Sequence, residues 1–184
     1  MKKLTIRINP DKESPLISRP LNLIRKGLIL LLFVVITCIN SFGQAPVELN
    51  SMLVQMTGSG DSVMAEEAAH IKSLVTDIQP TVYVGDVVRA SGESVPVCAD
   101  VKAGAFSKLS IENPLFGQVE LITIRINSNA DLSTILDLST IQGFTSLKYI
   151  RLLCSFDCTA EQLGAIVTGN TSGIKVFYSI SIPS

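Results

Sequence analysis

Val119-Glu-Leu-Ile-Thr-Ile-Arg-Ile-Asn127 and Leu147-Lys-Tyr-Ile-Arg-Leu-Leu-Cys-Ser155 decide the fold. They stand 28 residues apart and share apolar residues at the first, fourth and sixth places: Val119, Ile122 and Ile124, then Leu147, Ile150 and Leu152. Ile174, Tyr178 and Ile180 repeat the pattern loosely. A fixed period of this length is the mark of stacked strand-plus-connector units. Alternation of apolar and other residues predicts strands, and the long connectors allow them to run parallel.

Within the connector, Leu138, Ile141, Phe144, Leu147 and Ile150 recur every three residues, a spacing suited to short 3₁₀ turns. A shift of 28 carries Ile135 onto Leu163 and Leu138 onto Ile166, which predicts a helix over 159–167 in the same slot. Gly169 to Gly173 stops that helix, and a last strand follows over 174–182. Residues 119–182 resemble the leucine-rich repeat: Val119, Ile122, Ile124 and Asn127 fit its L-x-x-L-x-L-x-x-N pattern, Leu147, Ile150, Leu152 and Ser155 fit it again, and DLSTIQGFTSLKYIRL is close to that family as local sequence. The third copy departs from it, with Lys175 at an apolar place and Pro183 in place of the Asn. The resemblance implies a curved parallel sheet that recognises proteins. Ordinary βαβ units would give the same periodicity. The expected fold class is α/β: a repeat-like parallel sheet with helical and 3₁₀ connectors over 116–184, and an α+β half over 44–115 packed on it, since so few repeats need other elements to complete a core.

In the first half, 46–56 reads as a short strand. Asp61 or Ser62 caps a helix over 63–78, with Met64, Ala68, Ile71, Leu74, Val75 and Ile78 on one stripe and Pro80 as its stop. Residues 81–88 and 94–101 are rich in β-formers, 106–111 is a further short strand, and Asn113-Pro114 marks a turn.

The first 43 residues read as a signal peptide. Seven basic residues lead to the 13-residue apolar run Gly27–Ile39, too short for an ordinary spanning helix, and small polar residues follow. The Ser-Phe-Gly-Gln ending resembles signal peptides of Bacteroidetes. The expected product, 44–184, is one secreted or periplasmic domain without membrane insertion. An anchor through 27–39 is the alternative, and Cys38 sits in an imperfect lipobox. The exported part carries eight basic and fourteen acidic side chains, a net charge of −6. Such a surface disfavours nucleic acid as a partner. Cys98, Cys154 and Cys158 remain after cleavage, and export permits a disulfide. Cys154 with Cys158 is one pairing; Cys98 with either is the other.

No catalytic signature, metal set or cofactor loop is present in the sequence. Glu67 and His70 form one Glu-x-x-His pair with no second copy, and one His with three Cys is poor for zinc. Paired carboxylates such as Asp131 and Asp137 could cooperate in hydrolysis, but their spacing alone carries no chemistry. The alternating residues that face away from the connectors form expected rows Leu121–Tyr149–Phe177, Thr123–Arg151–Ser179 and Arg125–Leu153–Ser181. Aromatics and arginines are over-represented in recognition surfaces, so Arg125, Tyr149, Arg151 and Phe177 are the candidate binding residues. The expected function is non-catalytic binding of a protein or glycan through the sheet face or strand-end loops. A small envelope hydrolase or a purely structural envelope component are the alternatives. If the N-terminal helix covers the face, Tyr149 and Phe177 are core instead.

Overall fold

The structure, a computed structural model, describes residues 45–169 and 173–182. The signal-peptide, lipobox and anchor readings fall on residues 1–43, outside the described residues. Among the described residues no helix is long and apolar enough to cross a membrane.

The chain opens with a two-residue strand β1 (Val47–Glu48) and enters helix α1 (Leu49–Gly58). The strand expected over 46–56 is therefore mostly helix. The Glu48 carboxylate explains the switch: it accepts from Asn50 N at 3.0 Å and Ser51 N at 2.7 Å, satisfying first-turn donors. Leu49 and Met56 then share the buried side, with Met52 and Leu53 partly buried beside them. Helix α2 (Ser62–Thr76) follows as expected. Asp61 caps it by accepting from Val63 N at 2.8 Å, and Ala68, Ile71 and Leu74 form its buried stripe.

Strand β2 (Thr81–Val84) turns through Gly85-Asp86-Val87 into β3 (Val88–Ala90), so the run expected as one strand is a hairpin. Strand β4 (Cys98–Lys102) starts after Pro96, whose missing N–H lies outside the ladder. The expected strand over 106–111 is a 3₁₀ stretch, Ala103–Ser110, because a parallel successor to β4 requires a crossover there. Strand β5 (Leu121–Ile126), β6 (Leu136–Asp137), β7 (Tyr149–Cys154), helix α3 (Ala160–Gly164), β8 (Val167–Thr168) and β9 (Lys175–Ile180) complete the chain. Thr159 and Gln162 close a capping box at the start of α3.

Among the described residues seven strands form one sheet in the order β1-β9-β7-β5-β4-β2-β3, parallel throughout except for the β2–β3 hairpin. β6 and β8 pair separately in the connector layer. The expected α/β class with a repeat-like parallel sheet is what the chain forms. β5 and β7 keep the 28-residue offset, with Leu121 opposite Tyr149 and Thr123 opposite Arg151. The last copy does not. Tyr149 pairs with Lys175 and Arg151 with Phe177, an offset of 26. The slip is two residues, so every side chain of β9 keeps its expected face.

One face of the sheet packs against the connectors. Ile122, Ile124, Ile150 and Leu152 are fully buried there against Phe116, Leu136, Leu163 and Ile166. Phe116 stacks on Phe144 at 4.4 Å within the connector layer. The other face packs against α1 and α2, where Cys98, Leu121, Tyr149 and Phe177 meet Leu49, Met56, Ala68, Ile71 and Leu74. The described residues thus form three layers: connectors, sheet and a helical pair.

Candidate functional site

The helical pair decides which sequence-derived candidates reach solvent. Tyr149 is 4% exposed and Phe177 is fully buried. The open aromatic surface expected from them does not exist, because α1 and α2 lie on that part of the sheet. The Tyr149 hydroxyl lies 3.3 Å from the Glu67 carboxylate, and burial followed by that neighbouring charge pushes its pKa up to about 12. It is a packed phenol, not a recognition aromatic.

Along α2, Glu67, His70 and Leu74 meet Lys175, Glu120 and Cys98 at the amino ends of β9, β5 and β4, so the helix crosses the amino-terminal row and the carboxyl-terminal rows of the same face lie beside it. Tyr83, Asp100, Thr123 and Arg151 lie side by side on β2, β4, β5 and β7; Lys102, Arg125, Leu153 and Ser179 form the next row on β4, β5, β7 and β9. These side chains are half-buried or exposed, whereas the residues between them along each strand are buried on the connector face. Parallel sheets are normally apolar on both sides, so a polar, uncovered half-face is an informative exception. Open parallel sheets also take ligands at the carboxyl ends of their strands. A cleft of about 180 Å³ lies here, bounded by the end of α2 at Leu74, Asp77 and Gln79 and by Thr123, Arg125 and Arg151.

The two arginines differ in their bonding. Arg125 is held in a fork by Asp100, with Nε 2.7 Å from Oδ1 and Nη2 2.6 Å from Oδ2. That pairing raises its pKa despite some desolvation. Arg151 has no carboxylate partner among the described residues; its Nε donates to Ser179 Oγ at 3.0 Å. The same Ser179 was expected directly opposite it, and stands diagonally because of the slip in β9. Burial, then the nearby Arg125, lower the pKa of Arg151. Such a group still remains charged at neutral pH. Its terminal nitrogens carry four more donors. No fully buried side-chain nitrogen or oxygen among the described residues lacks a partner, and Arg151 lines the cleft. Asp77, at the rim, accepts instead from Ser73 Oγ at 2.7 Å.

Tyr83 and Asp100 went unrecognised in the sequence. The signal was the alternation Cys98, Asp100, Lys102, which puts a carboxylate and an ammonium on one face of β4. Tyr83 is 41% exposed, and the Arg89 guanidinium lies 5.8 Å from its ring centre. Five of the eight basic residues in 44–184, namely Arg89, Lys102, Lys108, Arg125 and Arg151, gather at this end of the sheet.

The remaining candidates have structural partners. His70 Nε2 lies 2.9 Å from Glu120 Oε2, and Lys148 Nζ reaches the same oxygen at 3.0 Å. Lys175 pairs with Glu67 at 2.5 Å. These contacts tie α2 to the amino ends of β5 and β9, with Lys148, just before β7, joining the first of them. Asp131 accepts from Asn127 N and Ser128 N, and Asp137 from the backbone and hydroxyl of Ser139, so each carboxylate serves its own turn. Cys154 and Cys158 stand at disulfide distance, with Cα atoms 6.8 Å apart. Cys98 is buried and unpaired; burial first, then Glu120, push its thiol up to about 11, so it is an unreactive thiol at neutral pH. Among the described residues no group of three or more His, Cys, Asp or Glu is placed to hold a metal ion. In comparisons with known proteins, no family model, curated protein or solved structure matches this chain.

Proposed function

We propose that this is an exported, non-catalytic binding protein that recognises its ligand on the uncovered carboxyl-end half of its sheet. The observation that carries the reading is Arg151: a half-buried guanidinium, bonded to one hydroxyl, in the lining of a cleft. Holding an unpaired charge partly out of water is costly, and a fold that needed only stability would place an apolar residue there. A ligand carrying negative charge supplies the missing acceptors. The leucine-rich-repeat likeness of 119–182 supports the same reading, since sheets of that family present a face for recognition. The basic cluster in a domain of net charge −6 would also orient an anionic ligand toward this edge.

The test is retention of the purified protein on arrays of immobilised glycans and peptides, with Arg151→Gln and Lys148→Ala compared. Lys148 lies at the opposite ends of the strands. The expected result is retention lost in Arg151→Gln and kept in Lys148→Ala. Retention independent of Arg151 would move the binding surface elsewhere. Retention on nothing, or turnover of an arrayed glycan, would favour a structural component or a hydrolase.

A further inference from the structure

The cationic half-face also indicates the chemistry of its ligand. Resting on the binding reading above, we propose that the cleft takes an acidic glycan, with a sugar carboxylate on Arg151 and neighbouring sugar hydroxyls on Thr123, Ser179 and the Asp100–Arg125 pair.

Three observations favour a glycan over an acidic peptide. The first is the position of the site. It lies on a sheet face, where the backbone groups of β4, β5 and β7 are already used in the ladder. An extended peptide gains most of its affinity by pairing its own backbone with a free strand edge, and the cleft at Arg151 lies over inner strands. The second is the mixture of groups. Arg151 only donates, the Asp100 carboxylate only accepts, and the Thr123 and Ser179 hydroxyls do both. A sugar ring carries hydroxyls that both donate and accept, next to one another, and a uronate adds a single planar carboxylate suited to a guanidinium. The third is the shape and lining of the cleft at Arg151. The cleft is small, at about 180 Å³, and its floor is polar.

The row also has length. Tyr83 lies three strands from Arg151 in one register row, about 14 Å away at ordinary strand spacing. That exceeds one sugar ring, so the row fits an oligosaccharide that runs across the strands. Tyr83, exposed beside Arg89 at the far end, then offers a ring face to a second or third sugar. Lys102, one residue-pair further along β4, has no ion-pair partner among the described residues and is placed to meet a second carboxylate.

The experiment is calorimetric titration of the purified protein with trimers of galacturonate, mannuronate and glucuronate. Their neutral methyl esters and an oligo-glutamate peptide serve as the other arms. The expected result is binding of at least one uronate trimer, weakened at least about tenfold by esterification, by Arg151→Gln or by raising the salt to about 1 M. Arg151→Lys, which keeps the charge but loses the fork, is expected to lie between. Equal affinity for acid and ester would overturn the anionic ligand while leaving an Arg151-dependent binding site standing. Preference for oligo-glutamate would overturn the glycan and leave the site. Failure of every uronate trimer to bind would overturn the proposal, and the array result above then decides whether the surface binds anything. Circular dichroism of each variant separates lost binding from lost folding.

Discussion

Arg151 is built against stability. Its charge is partly desolvated, Arg125 disfavours it while Asp100 offsets part of that, and one serine hydroxyl is its bonded partner. Replacing it with leucine removes that penalty and adds apolar contact beside Leu153. Arg151→Leu is therefore expected to be neutral or to gain about 1 kcal/mol in chemical denaturation while losing binding. A loss of several kcal/mol would make the arginine structural. Gly169 is the opposite case, a residue the fold requires. Its φ is +88°, and a Cβ there would lie 2.5 Å from Asp137 Oδ1 and 3.1 Å from the backbone nitrogens of Leu138 and Ser139. Gly169→Ala is expected to cost roughly 1–3 kcal/mol, from left-handed strain together with the disturbed Asp137 turn. A fall in Tm of less than a degree or two would contradict that. The candidate residues were legible in sequence to different degrees. Alternation placed Arg125, Tyr149, Arg151 and Phe177 on one face. Alternation says nothing about what covers a face, so the buried aromatics and the open arginines looked alike.

At the scale of elements, α2 is the divider of that face, and it is held by apolar packing and by ion pairs. Ile71 of α2 and Phe177 of β9 are both buried in the core that the two helices share with the sheet. Phe177→Ala is expected to lose about 3–5 kcal/mol, mainly through the cavity left beneath the helices, as read in a urea titration. The polar brace gives a pH-dependent part. The Glu120 carboxyl is held below its usual range, first by the hydrogen bond from His70, opposed by desolvation and assisted by Lys148. A carboxylate with a lowered folded pKa stabilises the fold above its unfolded pKa, and that contribution is lost as pH falls through the folded value. The wild type is therefore expected to exceed Glu120→Gln in stability near pH 7, by at most about 1 kcal/mol for so exposed a pair, with the gap closing toward pH 3. A gap that stays constant or widens in acid would show that Glu120 acts otherwise. Element prediction succeeded where the period was long, as for α2 and β5. It failed over 49–58 and 103–110, where short apolar runs fit a strand and a helical turn equally well. The Glu48 cap and the crossover requirement after β4 decided those segments.

At the scale of the whole molecule, the repeat supplies one layer of packing and the first half of the chain supplies the other. Connectors bury the centre of one sheet face and leave Val176 and Tyr178 half-buried and Ile180 exposed at its β9 side. α1 and α2 bury the amino-terminal rows of the second face and leave its carboxyl-terminal rows free. The 28-residue period made the sheet and its connectors readable. The 26-residue step into β9 was not, because the third copy is loose and its register depends on Lys175 meeting Glu67 and on β1 closing the edge. The Cys154–Cys158 pair spans only four residues at the end of β7, so it restrains little of the unfolded chain. Reduction is expected to lower stability by about 2 kcal/mol at most, without loss of the fold by circular dichroism. Unfolding on reduction would mean that the pair, and not the two-sided core, holds the sheet together. The central claim is that the uncovered half-face is the binding surface. Its most direct test is nuclear magnetic resonance of the Nε–H groups of Arg125 and Arg151 during titration with uronate trimers. The expected result is a shift and slowed water exchange at Arg151, with smaller changes at Thr123 and Ser179 and none in the connector layer. Perturbation confined to the connectors or to the amino ends of the strands, with Arg151 unmoved, would contradict it.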